Sequence, residues 1–360
     1  MRLKLKKLNS GIALIIVMIV ITVLSIMAGG FAYSMKVETR LARNAFFDNE
    51  MEWLGRSGIE LARYVLGQQK NIPNEPYDAL NQKWAGGIGP TNGLLSDITL
   101  ENVPIGNGVI TVKITDMERK FNINIADEAI LNQALTLIGV DASESGPIVS
   151  SILDWLDPDD ETRINGTESD YYQNLDPPYV AKNGPMDDIK ELLLIRNVTP
   201  EIFYGPHYTG SHSPSPMQQK RFGVTFTKKE EQNLYAVGLV DLFCTFSSRF
   251  ININTAPATT LQLIPGIDEN IANEIIARRA GPDGQDGTED DMPFRTVGEL
   301  MTVPGMQPQL IGLLSRICST QSTTFEVKVE VQLDQRKRTF TAILRRLDQK
   351  NIPLICWSWD

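Results

Sequence analysis

The order of apolar and polar positions divides the chain into stretches of different period. Residues 12–32 carry no charged side chain, a run long enough to cross a bilayer as a helix. Beyond it Tyr33, Val37, Leu41 and Ala45 recur every fourth residue, followed by Met51, Leu54, Gly58, Leu61, Ala62 and Val65. That spacing keeps one face of a helix apolar. No proline falls between Ile12 and Leu66, so the pattern predicts one helix of about 55 residues and about 80 Å. Its first half reads as a membrane anchor and its second as an amphipathic spine, with Glu38, Arg40, Arg43, Asp48 and Glu52 on a solvated or partner-facing side.

After a Gly-, Pro- and Asn-rich connection at residues 86–93 the period changes to two. In residues 108–115, Val109, Thr111, Lys113 and Thr115 alternate with Ile110, Val112 and Ile114, the signature of a half-buried strand. Two further alternating runs, residues 324–333 and 338–346, are joined by a polar turn. Together these predict an α+β fold, a small antiparallel sheet on a long helix. About two hundred residues separate the first strand from the hairpin, too many for a loop, so they form an inserted domain.

The insert repeats itself. Phe121-Asn122-Ile123-Asn124-Ile125-Ala126 matches Asn252-Ile253-Asn254-Thr255-Ala256, and each leads through an apolar helix to a glycine turn, at Gly139 and Gly266. A second echo pairs Glu191-Leu192 with Glu299-Leu300. The predicted division is 1–11 leader, 12–33 membrane segment, 34–120 helix and first strands, 121–318 insert (units at about 121–205 and 250–318), 319–347 hairpin and 348–360 tail. Leu263-Ile264-Pro265-Gly266-Ile267 resembles a helix–hairpin–helix turn, which in nucleic-acid-binding versions offers backbone N–H groups to phosphate. Asp268, Glu269 and Glu274 crowd this one, which favours an architectural role.

Charge sharpens the reading of the N-terminus. The formal net charge is −10, yet Arg2, Lys4, Lys6 and Lys7 all precede Gly11, and losing those four takes it to −14. An acidic head repels phosphate backbones, so no nucleic-acid partner is expected. Positive residues ahead of the apolar run keep the leader cytoplasmic and send the rest outward. A secretory signal is cut after its apolar core; here the small residue suited to cleavage, Gly11, stands before it, and a cut there would leave the apolar helix on the mature chain.

Two acid-rich segments are candidate cation sites. Residues 281–291 pack five acids among glycines; hard cations such as calcium take six to eight oxygens, and glycines let backbone carbonyls join the side chains. Asp283, Asp286 and Asp290 are the first candidate ligands, with Asp291 and the Thr288 carbonyl beside them. A solvated acidic loop is the competing reading. Asp157, Asp159 and Glu161 alternate, with Glu168 further on, as a second cluster that reads first as surface turn acids. Cys244, Cys318 and Cys356 suit neither a zinc set nor a disulfide framework. A Cys244–Cys318 disulfide and three unpaired thiols are both open. His207 and His212 lie in a Ser- and Pro-rich stretch with no recognisable nucleophile, and no enzymatic function is expected.

A basic leader, a glycine and an uninterrupted apolar helix resemble the signal of type IV pilins and type II secretion pseudopilins, which a prepilin peptidase cuts after the glycine and then N-methylates. Asp154-Trp155-Leu156-Asp157-Pro158-Asp159-Asp160-Glu161, followed by Gly166-Thr167-Glu168, Tyr171-Tyr172, Tyr179 and Asn183-Gly184-Pro185, resembles the signature of the general secretion pathway K proteins, the large minor pseudopilins. Ile16 holds the fifth mature position, where ordinary pilins carry glutamate, and this too is a K-type habit. The resemblance implies a single-pass inner-membrane protein with a periplasmic head at the pseudopilus tip. Its implied partners are I- and J-type minor pseudopilins, the major pseudopilin and the prepilin peptidase, and it implies calcium bound in acidic loops. The alternative is a membrane-anchored helix–hairpin–helix protein resembling competence DNA receptors.

Overall fold

A computed structural model describes residues 10–89, 95–208 and 235–359. Most of the basic leader, part of the connection after Gly86, and most of the Ser- and Pro-rich stretch with His212 lie outside them.

The predicted long helix is one element, α1 (Ser10–Gln69), 60 residues. Its first half stands bare; from Met51 onward Met51, Leu54, Gly55, Gly58, Ile59, Ala62, Val65 and Leu66 are buried along one helical face. They pack on a sheet built from β1 (Val103–Ile105), β2 (Gly108–Asp116), β7 (Thr324–Leu333), β8 (Arg336–Arg345) and β9 (Leu354–Trp359), adjacent in that order and antiparallel throughout. The first predicted strand and the hairpin are therefore observed. Between Gly108 and Ile114 the inward residues are those of the alternation, Ile110, Val112 and Ile114.

The predicted tail at 348–360 is corrected: residues 354–359 form the fifth strand, with Trp357 stacked on Phe340 at 5.1 Å. Leu354, Ile355, Cys356 and Trp357 are consecutive and apolar, so no period of two marks this strand.

The insert holds β3 (Phe121–Asn122), α2 (Glu128–Ile138), α3 (Ala142–Leu156), α4 (Ser169–Tyr172), α5 (Pro200–Tyr204), α6 (Leu239–Leu242), β4 (Phe243–Cys244), β5 (Ile251–Asn252), α7 (Ala258–Leu261), α8 (Glu269–Arg279), α9 (Ile311–Ile317) and β6 (Cys318–Ser319). Strand β3 pairs in parallel with β4, and β5 with β6. Each unit is thus closed by a two-residue ribbon, and the partner strand that closes the first, β4, lies beyond the boundary expected at about 205. Two-residue strands have no period to read in a sequence.

The duplication extends to single hydrogen bonds. Asn122 Oδ1 accepts from Asn124 N and Asn252 Oδ1 from Asn254 N, at 3.0 and 2.9 Å. Asn124 then clasps the backbone of Met186 from both sides, and Asn254 does the same to Phe294. Asn197 and Gly305, at φ of 67° and 83°, turn the chain left-handed ahead of Pro200 and Pro308. Both units share one apolar core, from Phe121 through Trp155, Leu192, Leu263 and Leu300 to Leu314.

Candidate assembly surface and cation sites

The seat of α1 depends on two glycines. A methyl group on Gly55 would lie 2.6 Å from the Phe340 ring, and one on Gly58 would collide with Val329. Their absence lets helix and sheet approach closely. Asp48 and Asn44 receive Arg338 and Arg336 from β8, at 2.9 and 2.6 Å. Opposite the seat Phe46, Trp53 and Tyr64 are exposed, as are Ile12 and Ile16. Gly11 and Ile12 form part of the first turn of α1.

The sheet joins the insert through a buried polar cluster that the sequence reading did not single out. Arg346 pairs with Asp78 and donates to the carbonyls of Leu66 and Ser322. Asn252 Nδ2 donates to the Asp78 carbonyl, to Asp116 Oδ2 and to Ser322 Oγ, at 3.0, 3.1 and 2.8 Å. Thr255 and Ser322 hydroxyls also donate to Asp116, while Glu118 accepts from Thr324 N and the Thr323 hydroxyl. Burial, then the charge of Glu118, raises the Asp116 pKa well above the usual carboxylate range. Asp78, Asp116, Glu118, Asn252 and Arg346 are far apart in sequence; the faint signal was polar residues at the ends of apolar strands.

In the loop after α8, every candidate carboxylate already has a donor. Asp286 grips Arg279 through two bonds of 2.9 and 2.7 Å, and the same guanidinium donates to the Ile253 and Ala256 carbonyls. Asp283 accepts from Gln285 N, Asp290 from Asp283 N and the Thr288 hydroxyl, and Asp291 from Gly287 N and Thr288 N. The Thr288 hydroxyl and the Asp283 N–H lower the Asp290 pKa, whereas burial raises that of Asp291.

The loop after α3 is different. Asp154 accepts from Thr167 N at 2.7 Å and from Arg163, which also pairs with Asp157. Asp159 accepts from Glu161 N, and the Glu161 side chain is exposed. Glu168 is 4% exposed, and neither of its carboxylate oxygens has a partner; Asp157 Oδ1 and Asn183 Oδ1 are also buried without one. Burial first, then Asp154, Asp157, Asp160 and Asp159, push the Glu168 pKa up to about 7. Among the described residues no three carboxylate, imidazole or thiol groups converge as a ready-made ligand set.

Cys244 and Cys318 are free and buried. They lie on different ribbons, and of the two readings left open it is the unpaired one that the structure has. The Cys244 thiol instead lies 3.0 Å from the Ser247 hydroxyl.

A long helix whose apolar half is bare and whose second half is pressed on an antiparallel sheet defines a pilin-like protein, here with a large helical insert. Residues 114–204 match the family described as type II secretion system (T2SS), protein K, and residues 247–314 match a helix-hairpin-helix motif. The type II secretion system protein K of Aeromonas hydrophila is 26% identical over 215 residues, covering 54% of this chain and 61% of that protein. That of Pectobacterium carotovorum is 23% identical over 215 residues, covering 54% and 60%. The matched region therefore spans about three fifths of these relatives. A chain in the crystal structure of the GspK-GspI-GspJ complex from enterotoxigenic Escherichia coli superimposes with a TM-score of 0.62 at 17% identity, over 89% of this chain and 99% of that one, and so shares the fold. Residues 114–204 are thus similar to the type II secretion system protein K family, and the chain shares the fold of one solved relative.

Proposed function

We propose that this chain is a minor pseudopilin of a bacterial type II secretion system, placed at the pseudopilus tip, and that it serves assembly and protein export rather than catalysis. The observation that carries the reading is the split character of α1, bare through its apolar half and locked to the head from Met51 onward. A bare apolar half needs lipid or neighbouring helices around it, while a locked half transmits its position to the head. The anchor sits in the inner membrane with the head in the periplasm. Prepilin peptidase cuts after Gly11 and N-methylates Ile12. The bulk of the insert blocks a further subunit above. The partners are I- and J-type minor pseudopilins, consistent with the complex in which the structural relative was solved, together with the major pseudopilin.

The helix–hairpin–helix match raises the DNA-binding alternative, but the geometry disfavours it. A side chain on Gly266 would run into Leu310, and Asp268 caps α8 beside that turn, so the turn serves internal packing in an acidic setting.

Calcium belongs to the same proposal, and the fit differs between the two loops. Glu168, with two buried and unpartnered oxygens within the field of Asp157, suits a hard cation. Asp159 is exposed at its edge. The loop after α8 suits it less well, since Arg279 already neutralises Asp286. We therefore assign calcium first to the loop after α3, where it would supply the missing positive charge.

Mass spectrometry of the mature chain from its host tests the assignment. The expected species starts at N-methylated Ile12; an intact Met1, or a cut beyond the apolar run, overturns it.

A further inference from the structure

The seam between the two units of the insert opens into a groove of about 440 Å³, lined by Phe121, Ile125, Ile130, Pro265, Leu313 and Ile317 and flanked by Arg249 and Arg316. Its floor is apolar and partly open to solvent: Ile125 is 49% exposed and Leu313 38%. Two exposed aliphatic side chains facing one concavity are a feature of a contact surface more than of a monomer's skin.

The two arginines set the chemistry. Both are exposed, and neither makes an ion pair or hydrogen bond among the described residues; the Arg249 guanidinium only overlies the Phe250 ring at 5.2 Å. Asp127, the acid that also lines the groove, is committed as the cap of α2, accepting from Ile130 N at 2.9 Å. On a chain of net charge −10, two arginines against the single acid Asp127 leave the groove lining net positive beside its apolar floor, and such a patch selects a partner of opposite sign.

We propose that this groove docks an acidic, aliphatic peptide segment of a partner protein, its aliphatic side chains on Ile125 and Leu313 and its carboxylates on Arg249 and Arg316. Arginine is suited to this because its planar fork binds a carboxylate through two parallel bonds. A nucleic acid would meet the same arginines, but the apolar floor offers nothing to a phosphate backbone, and Asp268 and Glu269 follow directly on the hairpin that carries Pro265. The site lies on the insert, away from α1, so it stands or falls independently of how the helix assembles.

The test uses the full chain in detergent micelles and a fluorescein-labelled peptide alternating glutamate and leucine, read by fluorescence anisotropy. The expected result is saturable binding that weakens with salt. In the R249A/R316A double variant, binding falls by about tenfold or more. Leu313→Asp, at an exposed position, weakens it similarly while the melting temperature stays unchanged. A peptide with lysine in place of glutamate is expected not to bind. Equal affinity in the wild type and the double variant, preference for the lysine peptide, or tighter binding of a 20-base-pair DNA duplex than of the acidic peptide would each overturn the proposal.

Discussion

The loops after α3 and α8 occupy equivalent places in the two units of the insert, each between the second helix and the backbone segment clasped by an Asn-x-Asn asparagine. They solve the same problem in opposite ways. After α8 the acids are dense but satisfied: Arg279, 4% exposed, supplies the cation from inside, and backbone N–H groups take the rest. After α3 the single Arg163 is shared between Asp154 and Asp157, and Glu168 is left buried near them with no donor. The number of acids therefore says little about cation demand; what remains unpaired after the protein's own donors are counted says more.

That contrast can be broken most forcefully at Arg279. Replacing it by alanine leaves Asp286 and two buried carbonyls without their donor. The expected loss is about 3–5 kcal/mol, visible as a lower denaturation midpoint by circular dichroism; a change under about 1 kcal/mol would mean that the pair behaves like a surface one.

Gly166→Ala strikes the other loop. A methyl there collides with the Asp154 carboxylate, so a destabilisation of about 1–3 kcal/mol is expected, and an unaltered midpoint would show that Asp154 can yield.

Calcium titration sharpens the comparison. At calcium a hundred times its dissociation constant, a native-state ligand adds about 2.7 kcal/mol, read as an upward shift in melting temperature. Glu168→Gln should abolish that shift and Asp283→Asn should leave it intact. The reverse outcome would return the site to the loop after α8.

The smallest effect concerns Asp116 at the joint, buried like Glu168 but surrounded by donors. Its folded pKa is raised above the unfolded value, so the folded state holds the proton longer. Stability from this group is then full below the ordinary carboxylate pKa and declines as pH rises through the folded value. Asp116→Asn should flatten that part of the stability–pH curve; an unchanged slope would assign it to other groups.

Periodic features were legible from sequence. The helix announced itself through an uncharged run and a four-residue recurrence, three strands through alternation, and the duplication through Asn-x-Asn. Features without a period were not. The β3–β4 ribbon is two residues deep, β9 is apolar on consecutive positions, and the joint gathers Asp78, Asp116, Asn252 and Arg346 from across the chain. The acidic segments were visible as composition, but their ranking required knowing where Arg279 and Arg163 point. A guanidinium seven residues from its carboxylate leaves no spacing rule to recognise.

The pairing of β2 with β7 has a consequence for the order in which the molecule is made. Asp116 lies opposite Phe325, so this contact closes a chain loop of roughly two hundred residues, and closure entropy opposes it until something shortens the path. The insert's own ribbons, β3 with β4 and β5 with β6, draw the two ends of that loop together from within. Once those ribbons are paired, the hairpin of β7 and β8 has a far shorter path to the β2 edge than the bare chain would allow.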